Sequence, residues 1–203
     1  HGDEDQDGEF LAELFCRDPD FLYCYLDKAL DHMGTSFYAH NSWASRLHFV
    51  WDNETFQSYP ELISDYLFEK TGEEEWRYSA IISQLLLCKN EDSDIVAKRQ
   101  NAWILHTIEM HAAEPTRMHY LFGAISESSE SSADRRRIAL EKFLKLNDDY
   151  ALFEKLPLES PSIGGIGSMI PYIQARIDYF LSLKPLLTGV KFLKHRQRIE
   201  QRI

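Results

Sequence analysis

A chain of 203 residues, 44% of them apolar and 27% charged, can bury a core as one elongated domain or two small ones, which excludes a disordered tail. Its formal charge of −11 argues against nucleic acid as the main partner, because holding a polyanion takes clustered Lys and Arg. The longest apolar stretches are broken by charge or glycine well short of the ~18 to 20 residues that a membrane span needs, so no membrane segment or signal peptide is expected and the expected location is cytoplasmic.

Residues 1–8 read as a disordered acidic leader, and the first twenty residues hold eight Asp and Glu against the single Arg17. A helical, repeat-like region is expected over 9–125 and a C-terminal helical region over 126–203. Asp18-Pro19 supplies an N-cap and a proline for the first turn; Leu22, Tyr25, Leu26, Ala29, Leu30 and Met33 then recur at three- and four-residue steps until Gly34. A second helix is predicted from Tyr59-Pro60 through Leu62, Ile63, Tyr66 and Leu67 to Gly72. A third runs from Glu73 through Trp76, Ile81, Ile82, Leu85 and Leu86 to Cys88.

Past the polar stretch Asn90 to Ser93, a long helix from Asp94 to Ala113 carries Val96, Trp103, Ile104, Ile108 and His111 near one apolar side, and Pro115 stops it. Another helix covers Met118 to Ile125. A serine-rich linker, Ser126 to Ser132, leads to a helix from Asp134 to Leu146 with Ile138, Leu140, Phe143, Leu144 and Leu146 as its buried stripe. A shorter helix spans Tyr150 to Leu156. After the irregular stretch Pro157 to Gly167, Ser168 and Pro171 open a long helix carrying Ile173, Ile177, Phe180 and Leu181. Pro185 and Gly189 end or kink it, and a basic helix from Val190 places Phe192, Leu193 and Ile199 inward.

The fold class expected is therefore all-α. Pro19-Asp20-Phe21-Leu22 with Tyr25-Leu26 echoes Pro60-Glu61-Leu62-Ile63 with Tyr66-Leu67 at an offset of 41 residues, within the period of HEAT and armadillo helix pairs. A further step of the same offset matches only at Trp103, Ile104 and Ile108. The expectation is a degenerate array of stacked helix pairs, an α-α superhelix.

Chemistry-bearing patterns are sparse. Cys16, Cys24 and Cys88 are odd in number and lack C-x-x-C spacing, so buried reduced thiols are expected, with neither a disulfide framework nor a zinc site. His106 and Glu109 share a helix face and can supply two metal ligands, but HExxH spacing and a third ligand are missing, so no metal site is assigned. Gly164 to Ser168 before a helix resembles a phosphate cradle, yet no P-loop lysine and no strand accompany it; a connection capped by Ser168 is the simpler reading, and anion binding there is left open.

Arg135, Arg136 and Arg137 cannot share one helix face, so at least two are expected to meet solvent or an acidic partner. With Lys194, Arg196 and Arg198 near the C-terminus they are the candidate binding residues. Trp43, Trp51, Trp76 and Trp103 fit core filling better than a base-stacking platform. No catalytic residue and no cofactor are assigned.

Gly167-Ser168-Met169-Ile170-Pro171, then Ile173, Arg176-Ile177-Asp178, Leu183, Leu186, Leu187, Phe192 to Arg196 and Ile199-Glu200, resembles the long helical C-terminal part of bacterial STAND-type P-loop ATPases of antiviral defence. Leu47 to Asp52, followed by Phe56 and a helix to Tyr66, is similar to the same region. The resemblance implies a parent with an NTPase and an effector domain upstream, and a sensor role for this part. The chain begins at His1, and Arg198 to Ile203 continue a helical pattern without a stop signal, so an excised piece is expected.

The function expected is thus a non-catalytic protein-recognition or scaffold fragment. Its partner would be another protein or another domain of the parent, self-association being one form of this, with no membrane and not nucleic acid. The alternatives are a nucleic-acid-binding domain using Arg135 to Arg137 and the C-terminal basic surface, or a helical metal-dependent enzyme.

Overall fold

The computed structural model describes residues 8–33, 44–71, 75–87, 94–128, 132–159 and 169–203. Among them no strand occurs, and the chain is all-helical. It divides into two compact units, 1–103 and 104–203. The expected change of region at 125/126 falls inside the second unit.

The first unit holds α1 (Glu9–Arg17), α2 (Phe21–Met33), α3 (Phe49–Asp52), α4 (Tyr59–Thr71), α5 (Glu75–Leu86) and the start of α6 (Asp94–His111). Short 3-10 turns at Ala44–Leu47 and Glu54–Phe56 flank α3. The α2 start follows the sequence signal, since the Asp18 carboxylate accepts from the Asp20 N–H at 3.2 Å and the Asp18 carbonyl from the Phe21 N–H at 3.0 Å. No individual helix was predicted at α1, which buries Leu11 and Phe15 one turn apart. Phe15 sits 5.8–6.1 Å from the rings of Phe21, Tyr25, Phe49 and Tyr59, so one aromatic side chain ties α1 to α2, α3 and α4.

Several buried polar groups inside this unit are paired. The Trp51 indole donates to the Leu85 carbonyl at 2.7 Å, and the Ser64 and Tyr78 hydroxyls meet at 2.8 Å. Arg99 donates to the Trp51 and Asp52 carbonyls at 2.6 and 2.9 Å, satisfying acceptors that the end of α3 leaves open. Burial coincides at two positions of the 41-residue echo. Leu22 and Ile63 are buried, as are Leu26 and Leu67, and α2 packs against α4, with the Tyr66 hydroxyl donating to Asp27 at 2.6 Å.

The second unit holds the end of α6, α7 (Pro115–Glu127), α8 (Ser132–Leu146), α9 (Tyr150–Lys155), α10 (Ile170–Leu183) and α11 (Leu193–Glu200), with 3-10 turns at Lys184–Leu187 and Val190–Phe192. Pro115 ends one helix and opens the next, because a missing N–H costs nothing in a first turn. Residues 120–126 of α7 are buried without a break, and α8 and α9 pack on it. Asp149 caps α9 through the Ala151 N–H at 2.9 Å, and the Asn147 amide donates to the Ala112 carbonyl at 2.8 Å.

Several expected orientations are corrected. Cys16 and Cys24 are exposed, on the outer sides of α1 and α2, whose inner stripes are filled by Leu11, Phe15, Leu22 and Leu26. Trp76 borders on solvent, where the Arg77 guanidinium covers its ring at 5.5 Å. Leu146 and Leu193 are exposed. Cys88 and Trp43 lie outside the described residues. No helix among the described residues is long and apolar enough to cross a membrane.

Gly8 and Gly189 both have positive φ, +70° and +95°. Gly8 is buried at the start of α1, where an added Cβ would run into the Arg46 carbonyl and approach Phe49 to 2.8 Å; around Gly189 there is open space. Gly8→Ala is therefore expected to destabilise the first unit by at least about 2 kcal/mol, from backbone strain plus overlap, and Gly189→Ala by strain alone, about 1–2 kcal/mol. Urea unfolding of the two variants checks the difference; equal losses would show that the space around Gly8 plays no part.

Candidate functional site

The 203 residues divide their charge unevenly. Residues 1–103 carry 21 Asp and Glu against 8 Lys and Arg, whereas 104–203 carry 12 against 14, so the acidic excess belongs wholly to the first unit. Between 169 and 203 there are seven Lys and Arg against two Asp and Glu. The C-terminal helices of the second unit are the locally basic part of an acidic chain.

α10 in this part has two apolar sides. Tyr179, Phe180 and Leu183 are buried, facing α8 and α11. Ile170, Ile173, Ile177 and Leu181 recur at i, i+3, i+7 and i+11, a stripe whose centre lies about a third of a turn from that of Tyr179, Phe180 and Leu183, with Phe180 at the border, one heptad from Ile173. Ile170 is 75% exposed, Ile173 49% and Leu181 45%, while Ile177 is half-buried. Met169 and Tyr172 at the start of the helix are exposed as well. Isolated exposed apolar residues are ordinary, but a run along three turns of one helix marks a surface made to be covered.

Beneath α10 lies a polar cluster. Glu159 pairs with Arg176, whose Nε lies 3.0 Å from Oε2, and accepts from Arg202 through Oε1 at 2.6 Å. A cavity of about 110 Å³ beside it is lined by Phe153, Leu158, Glu159, Phe180, Arg198 and Ile199 among others. That is below the roughly 300 Å³ at which small-molecule sites begin. A shallower groove of about 300 Å³ runs past Leu144, Lys145, Leu186, Lys191 and Phe192.

The structure scatters the residues singled out from sequence. Arg136 is buried with its guanidinium 4.8 Å from the Tyr179 ring centre, Arg137 lies 3.9 Å from Asp134 one turn back on α8, and Arg135 is half-buried. The arginine run is thus no single basic patch, since its middle member faces the core. Lys194 is exposed, 5.9 Å over the Tyr150 ring; Arg196 and Arg198 are half-buried, and Arg198 reaches the cavity. His106 is exposed, and Glu109 accepts from Lys142 at 2.7 Å, which holds its carboxyl below the usual range. Among the described residues no three His, Cys, Asp or Glu gather as a metal site would require. The Gly164–Ser168 loop lies outside the described residues.

Glu159, Arg176, Tyr179 and Arg202 were not singled out from sequence as site residues. Ile173, Ile177 and Leu181 were read from the sequence together with Phe180, without Ile170 and without a division into buried and exposed sides. No protein-family model, no curated protein and no solved structure matches the chain.

His195 on α11 is the other buried polar group of this region. Its ring lies 4.6 Å from Phe153, 5.2 Å from Phe192 and 5.4 Å from Tyr150, and among the described residues neither ring nitrogen has a hydrogen-bond partner. Burial among aromatic rings lowers its proton affinity below the ordinary 6.5; Asp148 and Asp149 oppose this and Lys191 adds to it. In the unfolded chain the imidazole takes a proton near 6.5, which the folded one refuses. Stability is therefore unaffected by His195 above that value and falls as pH drops below it, until the lowered folded value is reached. Urea midpoints at about pH 7.5 and about pH 5.5 should show a smaller acid loss in His195→Phe than in the wild type. An equal loss in both would assign the effect elsewhere.

Proposed function

We propose that this chain is a non-catalytic protein-recognition module, and that the second unit docks an acidic amphipathic helix of another protein, or of another domain of a parent chain, along the exposed face of α10. The observation that carries the reading is the exposed apolar stripe of Ile173 and Leu181, which Ile170 extends to the start of the helix. Charge complementarity selects the occupant: the stripe sits within a segment carrying seven cations and two carboxylates, so an apolar helix flanked by Asp and Glu gains on both counts.

Two finer readings belong to the same proposal. The matched burial of Leu22 with Ile63 and of Leu26 with Leu67 at a 41-residue offset favours a degenerate HEAT/armadillo-like array of stacked helix pairs in the first unit. The similarity of 167–200 to the C-terminal helical part of STAND-type defence ATPases favours a sensor role. The nucleic-acid alternative is weakened by charge pairing, since Lys191 meets Asp148 at 2.9 Å, Lys184 meets Glu200 at 3.5 Å and Arg136 is buried.

The test uses a fluorescein-labelled helical peptide with leucines at i, i+3, i+4 and i+7 and Glu-rich flanks, titrated into the wild type and into Ile170→Asp/Ile173→Asp. Both positions are exposed, so the melting temperature should hold while the peptide Kd weakens by about tenfold or more. Undiminished peptide binding in the double variant overturns the proposal. Sedimentation velocity gives a second readout: a wild-type dimer that the double variant abolishes would make a second copy the occupant and displace the acidic helix.

A further inference from the structure

α11 has eight residues, too few to persist in water without a packed side. Its buried residues are His195 and Ile199, one turn apart, so one of the two anchors that hold it is a titratable ring. Three rings enclose that imidazole: Tyr150 and Phe153 of α9 at 5.4 and 4.6 Å, and Phe192 in the turn before α11 at 5.2 Å. His195 is 1% exposed, and the cage is complete only while α11 lies against α9. Ile199 and Arg198 form one wall of the 110 Å³ cavity whose other walls include Phe153, Leu158 and Phe180. Lys184 meets Glu200 at 3.5 Å and Arg202 meets Glu159 at 2.6 Å, but ion pairs near the surface hold a helix weakly.

The charges around the cage leave the ring neutral. Asp148 and Asp149, just before α9, favour its proton, while burial and Lys191 oppose it, burial having the largest effect. Asp148 is engaged by Lys191 at 2.9 Å, and Asp149 caps α9. On α9 Glu154 accepts from the Tyr150 hydroxyl; on α10 Arg176 pairs with Glu159, and Asp178 accepts from the Gln174 amide. On α11 itself Lys194 lies over the Tyr150 ring, and Arg196 and Arg198 are half-buried cations that disfavour a further positive charge.

We propose that His195 is a pH-operated latch: in mild acid its ring takes a proton, leaves the Tyr150-Phe153-Phe192 cage and releases α11 from α9, opening the cavity that Ile199 closes while α7 stays folded. The released ring accepts its proton near 6.5 and the caged one below that, so the released form gains as pH falls through 6.5. Between about pH 7.5 and about pH 5.5 the opening constant rises by up to about tenfold. The latch does not rest on the docking reading, because it needs no partner.

Native-state hydrogen exchange of the full chain at those two pH values, corrected for the intrinsic exchange rate, tests it in the wild type and in His195→Phe. Wild-type protection over 193–200 should fall by up to about tenfold in acid while protection over 120–126 of α7 holds, and His195→Phe should show no acid loss over 193–200. Wild-type α11 protection that is independent of pH overturns the proposal. So does an equal acid loss in His195→Phe, or a loss shared by 120–126, which would make the event global unfolding. If His195→Phe does not fold, His195→Gln, whose side chain also takes no proton, must show the same independence of pH.

Discussion

No helix among the described residues is longer than the 18 residues of α6, and helices of that length or less are marginal in water by themselves. Each is held in place by the apolar stripe it buries against its neighbours, and the stripe it buries decides which side chains remain for anything else. In the first unit the arrangement converges on Phe15 and the four aromatic rings around it. In the second it converges on α7, which is enclosed over 120–126 and serves as the core on which α8 and α9 rest.

α10 is where this constraint produces a surface. A helix with apolar residues on two sides can give only one of them to the core of its own unit, and here Tyr179, Phe180 and Leu183 are the side given. Ile170, Ile173 and Leu181 are what remains. The surrounding cations then set the kind of partner that fits, because the same exposed stripe in the acidic surroundings of residues 1–103 would favour a different one.

The second unit also shows two ways of keeping a titratable group in an apolar place. His195 stays neutral within its three aromatic rings, since an imidazole can give up its proton near neutral pH. Arg136 has no such recourse and keeps its charge over the Tyr179 ring. The first arrangement transfers its cost to acid pH; the second leaves donors unmet among the described residues.

Local chemistry written in consecutive residues was readable in advance. Asp18-Pro19 opens α2, Pro115 separates α6 from α7, and Tyr59 to Thr71 and Asp94 to His111 are helical because their periodicity and breakers agree. α1 escaped as an individual helix because Glu9 and Glu13 continue the acidity of the residues before them and hide the Leu11-Phe15 spacing. What the sequence determines by itself is therefore that this chain is helical and, within a residue or two, where most of its described helices begin and end, since caps, prolines and glycines act within one turn. Which side of α10 is buried, that Arg136 points inward while Arg137 pairs with Asp134, and that Cys16 and Cys24 face out were decided by tertiary packing. Those choices depend on which neighbouring helix arrives first at each stripe, through contacts between residues far apart in the chain, and no periodicity within one helix encodes them.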